Sequence, residues 1–107
     1  ITQENLGMSV DDLQTVLDET NSVYHLAAVY DLAVPQSVGY AVNVEGTKNV
    51  NETVKKIKNL RRYNYISTCY VAGRRTGEIR EDELAHEAGF QNFYEETKYL
   101  AEVEVEK

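Results

Sequence analysis

The chain of 107 residues contains no tryptophan, one proline, one methionine and one cysteine. A lone Cys69 cannot close an intrachain disulfide, which excludes a fold stapled by disulfides and makes a reducing cytoplasm the expected setting. No apolar run approaches the roughly 20 residues of a membrane span, and the first residues offer neither a basic region nor an apolar signal core. No membrane partner is expected. Positive charge is also scarce: 11 Lys and Arg stand against 18 Asp and Glu, a net charge of −7. Nucleic-acid binding needs clustered cations that displace counterions, so nucleic acid is not an expected partner. The basic residues that do cluster are Lys55, Lys56, Lys58, Arg61 and Arg62, and then Arg74, Arg75 and Arg80; the first group reads as a solvated helix end favoured by the macrodipole. One cysteine and two distant histidines supply no metal-ligand spacing, and no metal is expected. Finally, no GxxGxxG turn occurs anywhere, so the usual seat for a pyrophosphate is missing from the sequence.

What is present is ordinary globular protein. Hydrophobic residues make up 42% and charged residues 27% of the chain, enough apolar material to pack but only for a single small domain. Ser9 is a candidate N-cap, followed by Asp11 and Asp12 and by Val10, Leu13, Val16 and Leu17 at helical spacing, so a short helix is expected. Ser22 to Tyr30 is a compact apolar run read as a buried strand that gives way to a loop near Ala27. After Pro35, Val50, Val54, Ile57 and Leu60 recur at three and four residues, predicting an amphipathic helix. Gly46 lies inside it, although Gly costs about 0.8 to 1 kcal/mol relative to Ala there, so close packing is expected beneath it. RRYNYISTCYVAG reads as a second buried strand leaving through a turn at Gly73. Thr76 to Gly89 reads as a loop and NFYEETKYLAEVEVEK as a helix with Tyr94, Lys98 and Ala101 on one side. Strands alternating with helices predict an α/β architecture with a parallel sheet.

Tyr94 and Lys98, in YEETK, are four residues apart and share one helix face. Phenol is a poor acid or base near neutrality, but an adjacent ammonium favours its ionised form and brings it toward working range. With eight tyrosines in the chain, the spacing alone is a weak motif. Thr68 falls at the end of the second predicted strand, where a hydroxyl at the carboxyl edge faces the ligand crevice of a parallel sheet. Cys69 beside it is expected to be a small buried residue rather than a nucleophile, since no base and orienting group surround it. His25 is expected to be a satisfied core histidine. The small Ala27 and Ala28 after it would let backbone approach a flat ligand.

Taken in order, YHLAAVY, NVEGT, YISTCYVAG and NFYEETKYLAE resemble successive landmarks of the extended short-chain dehydrogenase/reductase superfamily. GRRTGEI and GFQNFYEETKYLAE resemble its thioester reductase and fatty acyl-CoA reductase branch, the male-sterility-type domains. The resemblance implies Tyr94 as acid/base, Lys98 lowering its pKa and holding the nicotinamide ribose, and Thr68, in place of the commoner Ser, orienting the substrate oxygen. It implies Leu26, Ala27 and Ala28 lining an NAD or NADP cofactor, and Asn43 fixing loop and sheet geometry near the nicotinamide. Residues 1–107 would be the central part of one NAD(P)-binding Rossmann-like domain, a partial parallel sheet with flanking helices lacking the first βαβ unit. Such a piece is expected to be inactive alone and to self-associate through strand edges and apolar faces. The implied substrate is a small molecule: an acyl thioester or, in the epimerase and dehydratase branch, a nucleotide sugar. A noncatalytic scaffold or cofactor-sensing role stays open beside these.

Overall fold

The computed structural model describes residues 1–106. Helix α1 spans Val10–Glu19 and begins where the sequence predicts, with Ser9 Oγ accepting from the Asp12 amide at 3.1 Å. Two acidic residues in its first turn suit the positive end of the helix dipole. Ahead of it, Glu4–Gly7 forms a short 3-10 turn that has no counterpart in the sequence reading.

Strands β1 (Ser22–His25) and β2 (Arg62–Tyr65) pair in parallel, Ser22 opposite Arg62 and His25 opposite Tyr65. Both are shorter than predicted. The ladder ends where the Ile66 amide bonds the His25 carbonyl at 3.1 Å. Beyond that point Asn43 captures the backbone of Val29, and the other chain turns into a 3-10 segment, Cys69–Ala72, capped by Thr68. The expectation that both strands are buried on both faces is also corrected. Of the eight strand residues only His25 is buried, while Tyr24 and, just past the strand, Leu26 are 68% and 63% exposed. The helices cover one face of this two-stranded sheet, so side chains alternate between core and surface.

The connection between the strands is one long helical run. Helix α2 (Gln36–Tyr40) passes through a π-turn (Ala41–Glu45) into α3 (Gly46–Lys55). Val50 and Val54 on α3, with Ile57 just beyond it, form the core, and Leu6, Leu17, Val23, Leu60 and Tyr63 pack around them. The predicted periodicity therefore runs past the helix end: Ile57 and Leu60 lie in the turn that leads to β2. That turn is tied back to α1 by Lys58 N to Leu17 O at 3.1 Å and by a Lys58–Asp18 ion pair. The close packing expected at Gly46 is present, since a Cβ there would stand 2.8 Å from the Ile1 side chain.

Helix α4 (Phe93–Glu106) lies against α2 and α3. It starts on a reciprocal cap: Asn92 Oδ1 accepts from the Glu95 amide at 3.0 Å, and the Glu95 carboxylate accepts from the Gln91 amide and the Asn92 side chain. The Phe93 ring packs directly onto Gly39, where any Cβ would overlap it. Residues 76–89 are irregular as expected, but with Arg74 and Arg75 before them they are held. Arg74 N bonds Gly89 O at 2.9 Å, His86 Nε2 donates to Val71 O at 2.9 Å, and the Arg75 guanidinium bridges the carbonyls of Ala72 and Glu83. Leu84 is buried beneath them, and the His86 ring packs against Phe90 and Tyr99. Among the described residues no helix is long and apolar enough to cross a membrane.

Candidate active site

The π-turn brings Asn43 to the centre of the molecule, 1% exposed. π-turns inside α-helices are frequent at functional sites because the wider turn redirects one or two side chains. Here the redirected amide reads two segments at once. Its Oδ1 accepts from the Val29 amide at 2.7 Å, and its Nδ2 donates to the Val29 carbonyl and to Thr97 Oγ1, both at 2.9 Å. The loop after β1 and the YEETK helix are thereby fixed to one side chain. Asn43 thus joins the Val29 backbone to the Thr97 side chain.

One turn later, the Thr47 hydroxyl donates to the Asn43 carbonyl at 2.7 Å, which leaves its oxygen to accept from His25 Nε2 at 2.9 Å. That arrangement places the proton of His25 on Nε2. The imidazole stacks on Tyr65 with centroids 5.3 Å apart. Burial, and then the ammonium of Lys98, hold the His25 pKa below its ordinary value. His25 is a satisfied core histidine, as expected. Burial likewise pushes the Tyr65 phenol well above the usual range, with the Glu102 carboxylate adding to the shift.

Lys98 projects from α4 into this cluster and is 3% exposed. Its Nζ donates to the Ile66 carbonyl at 2.8 Å and lies 4.5 Å from the centre of the Tyr65 ring, a cation–π contact. Burial lowers the Lys98 pKa, and Glu102, one turn along the same helix, opposes the shift. The Glu102 carboxylate accepts in turn from the Ser67 hydroxyl. Lys98 and Glu102 therefore grip consecutive residues, Ile66 and Ser67, and deliver Thr68 at the end of that grip. The Thr68 Oγ1 accepts from the Tyr70 amide at 3.3 Å, and its proton remains available to a ligand. Tyr94 is half-buried at the first turn of α4. Its hydroxyl has no hydrogen-bond partner among the described residues, and neither Lys98 nor Thr68 bonds it.

Leu26 and Ala27 are exposed and Ala28 half-buried at the carboxyl end of β1, with Val29 pinned by Asn43 immediately behind them. These residues form an apolar strip with small side chains on fixed backbone. Cys69 is exposed, which corrects the expectation that it is buried: the 3-10 turn, rather than a continuing strand, carries it to the surface. Beside it opens a cleft of about 530 Å3 that Thr68, Val71, Ala72, Ile79, Leu84 and Glu102 help to line. No group of three or more His, Cys, Asp or Glu among the described residues could hold a metal ion.

A family model described as male sterility protein, an NAD-binding domain, matches residues 1–107. The chain belongs to this family. Among curated relatives it is 34% identical over 65 residues to the fatty acyl-CoA reductase wat of Drosophila melanogaster, covering 61% of this chain and 13% of that protein. Fatty acyl-CoA reductase 2, chloroplastic, of Arabidopsis thaliana is 30% identical over 81 residues, covering 76% and 13%. Fatty acyl-CoA reductase 1 of Homo sapiens is 29% identical over 70 residues, covering 65% and 14%. The chain thus matches only about one seventh of the length of these relatives. The male-sterility-type resemblance seen in GRRTGEI and NFYEETKYLAE agrees with these matches, and the fold is the mixed helix and parallel strand arrangement of a partial Rossmann-like domain.

Within this male sterility domain, three residues that the sequence did not single out prove central: Tyr65, Ser67 and Glu102. A signal for Glu102 existed, since it stands four residues after Lys98 on the same helix face. Tyr65 and Ser67 needed the register of β2, which periodicity does not supply.

Proposed function

We propose that the protein containing this domain is an NAD(P)-dependent reductase acting on an acyl thioester or a related carbonyl. The observation that carries this reading is the convergence of Lys98, the Ile66–Ser67 segment and Thr68, on a chain whose family is NAD-binding and whose relatives are named fatty acyl-CoA reductases. Leu26, Ala27 and Ala28 would line the dinucleotide, with Tyr94 and Lys98 reaching its ribose. The bound nicotinamide supplies hydride.

The residues of this chain supply the rest. The Thr68 hydroxyl, held by its turn, donates to the carbonyl oxygen of the substrate and orients it. Tyr94 delivers the proton that this oxygen needs as negative charge develops on it. The Lys98 ammonium holds the ribose of the dinucleotide from the helix face that also carries Tyr94. Its buried seat over Tyr65 holds that charge in a site of low dielectric, where its influence exceeds what it would exert in water. Asn43 and Thr97 keep α4 at a fixed distance from the loop after β1, so that Tyr94, Lys98 and the cofactor strip share one frame.

In the full-length protein, Tyr94→Phe should lower acyl thioester reduction by roughly 10²–10⁴-fold, the usual share of general acid–base catalysis, while dinucleotide affinity is retained. Steady-state turnover and a fluorescence titration with NADPH and NADH check both halves. Turnover that survives the substitution removes Tyr94 from the chemistry.

A further inference from the structure

Two adjacent hydroxyls, Ser67 and Thr68, follow the end of β2, and they are used differently. Ser67 spends its one proton on the Glu102 carboxylate. Thr68 accepts from the Tyr70 amide at 3.3 Å and keeps its proton for another partner. A hydroxyl bond to a carboxylate is charge-assisted and stronger than one between neutral groups. It ties the residue before Thr68 to α4, one turn beyond Lys98. Lys98 ties the residue before that one to the same helix, through the Ile66 carbonyl at 2.8 Å.

Glu102 also bears on Lys98 directly. The two stand four residues apart on one face of α4, and Lys98 is 3% exposed. A buried ammonium is costly unless it is compensated. The Tyr65 ring, 4.5 Å from Nζ, and the Ile66 carbonyl supply part of that compensation, and both are uncharged. Among the described residues, the titratable side chains around Lys98 are His25 from β1, Tyr65 from β2 and, on α4 itself, Tyr94 and Glu102. Glu102 is the one carboxylate in that set. Burial lowers the Lys98 pKa and Glu102 raises it. A single carboxylate therefore reaches the ammonium and, through Ser67, the strand end that carries Thr68.

We propose that Glu102 is a positioning residue with two separable roles: through Ser67 it fixes the turn that presents Thr68, and through its negative charge it balances the buried Lys98 ammonium that holds the ribose. This rests on the reductase reading given above and extends it to a residue that acts through others. Ser67 is then committed to the frame and does not compete with Thr68 for the substrate oxygen.

The roles are parted in the full-length protein by two variants that each remove one of them. Glu102→Gln keeps an oxygen that accepts from Ser67 and loses the charge. NADPH affinity, followed by fluorescence titration from about pH 6 to about pH 10, the range leading up to ordinary lysine titration, should then weaken at lower pH than in wild type. The reason is that a lysine already lowered by burial loses the carboxylate that opposes the shift. A general weakening of the fold does not mimic that change of profile. Ser67→Ala keeps the charge and loses the tether. Its kcat with acyl-CoA should fall by roughly tenfold to a hundredfold, as when an orienting group moves by up to about 1 Å, while the pH profile of NADPH affinity stays that of wild type. Ser67→Thr restores the hydroxyl and should recover most of the loss. An NADPH profile that Glu102→Gln leaves in place overturns the proposal, and so do identical effects of Glu102→Gln and Ser67→Ala on both measurements. A wild-type protein that binds NADPH but reduces no acyl-CoA overturns the reductase reading instead, and the Glu102→Gln profile still decides the charge role of Glu102.

Discussion

The hub around Asn43 and the rim formed by Leu26, Ala27, Thr68 and Cys69 meet at His25 and Leu26, which are neighbours in the chain, and they are built in opposite ways. In the hub every buried side-chain nitrogen and oxygen has a partner, and Asn43, Thr47 and His25 are almost fully enclosed. On the rim, backbone is fixed but side chains are exposed or hold an unassigned proton. The hub stabilises the frame, and the rim is where the proposed reading puts the ligand. A polar group buried with full hydrogen bonding costs little, whereas the same group stripped of partners costs the full desolvation of its neighbours. Full satisfaction therefore marks the scaffold.

This contrast breaks most readily at Asn43. Replacing it by Ala leaves the Val29 amide and the Thr97 hydroxyl without the partner that joins them, and the domain should lose about 3 kcal/mol, as expected when buried groups are left unsatisfied. Urea unfolding of the parent protein, followed through the transition of this domain, reads the loss. Next in size is a pH effect at His25. Its pKa is lowered, by burial first and by Lys98 second, so the folded state binds fewer protons than the unfolded chain. Stability is then complete above the ordinary histidine value of 6.5 and declines as pH falls through 6.5 toward the lower folded value. The thermal midpoint should drop further between about pH 8 and pH 5 in wild type than in His25→Gln; equal drops would take His25 out of the titration. The smallest effect belongs to the rim. Leu26 is 63% exposed, and Leu26→Ala should alter stability by no more than about 0.5 kcal/mol while weakening dinucleotide binding. Should it destabilise the fold as much as Asn43→Ala, the distinction between hub and rim collapses.

Much of this division was legible before any coordinate. Ser9 with two aspartates after it announces α1, and the spacing of Val50 and Val54 announces α3, because local capping and periodicity act within a few residues. His25 was recognisable as a core histidine from its place in an apolar run. Strand length was not legible. SVYHLAAVY and YISTCYVAG are apolar throughout, and nothing in their composition says that the ladder ends at His25 and Tyr65, because the ending is decided by Asn43 and by the Thr68 turn. Cys69 was misplaced for the same reason: in a continuing strand it would face inward, and in a 3-10 turn it faces out. The cap at Asn92 and Glu95 could have been read from N-x-x-E, three residues apart before an apolar helix. The pinning of residues 74–89 could not, since acidic and basic residues in a polar stretch look the same whether their backbone is held or free.

The π-turn has a consequence for how this domain tolerates length changes. A π-turn accommodates an additional residue relative to the α-helix on either side of it, so α2 and α3 are out of phase with each other by about the 100° that one residue occupies in an α-helix. That offset lets one continuous helical rod present Gly39 to the Phe93 ring, Asn43 to Val29 and Thr97, and Val50 and Val54 to the sheet. Removing any single residue between Ala41 and Glu45 would bring the two halves back into phase and leave them unable to meet all three neighbours together. A deletion there shifts every contact of one half of the rod, whereas a substitution alters only the contacts of its own side chain.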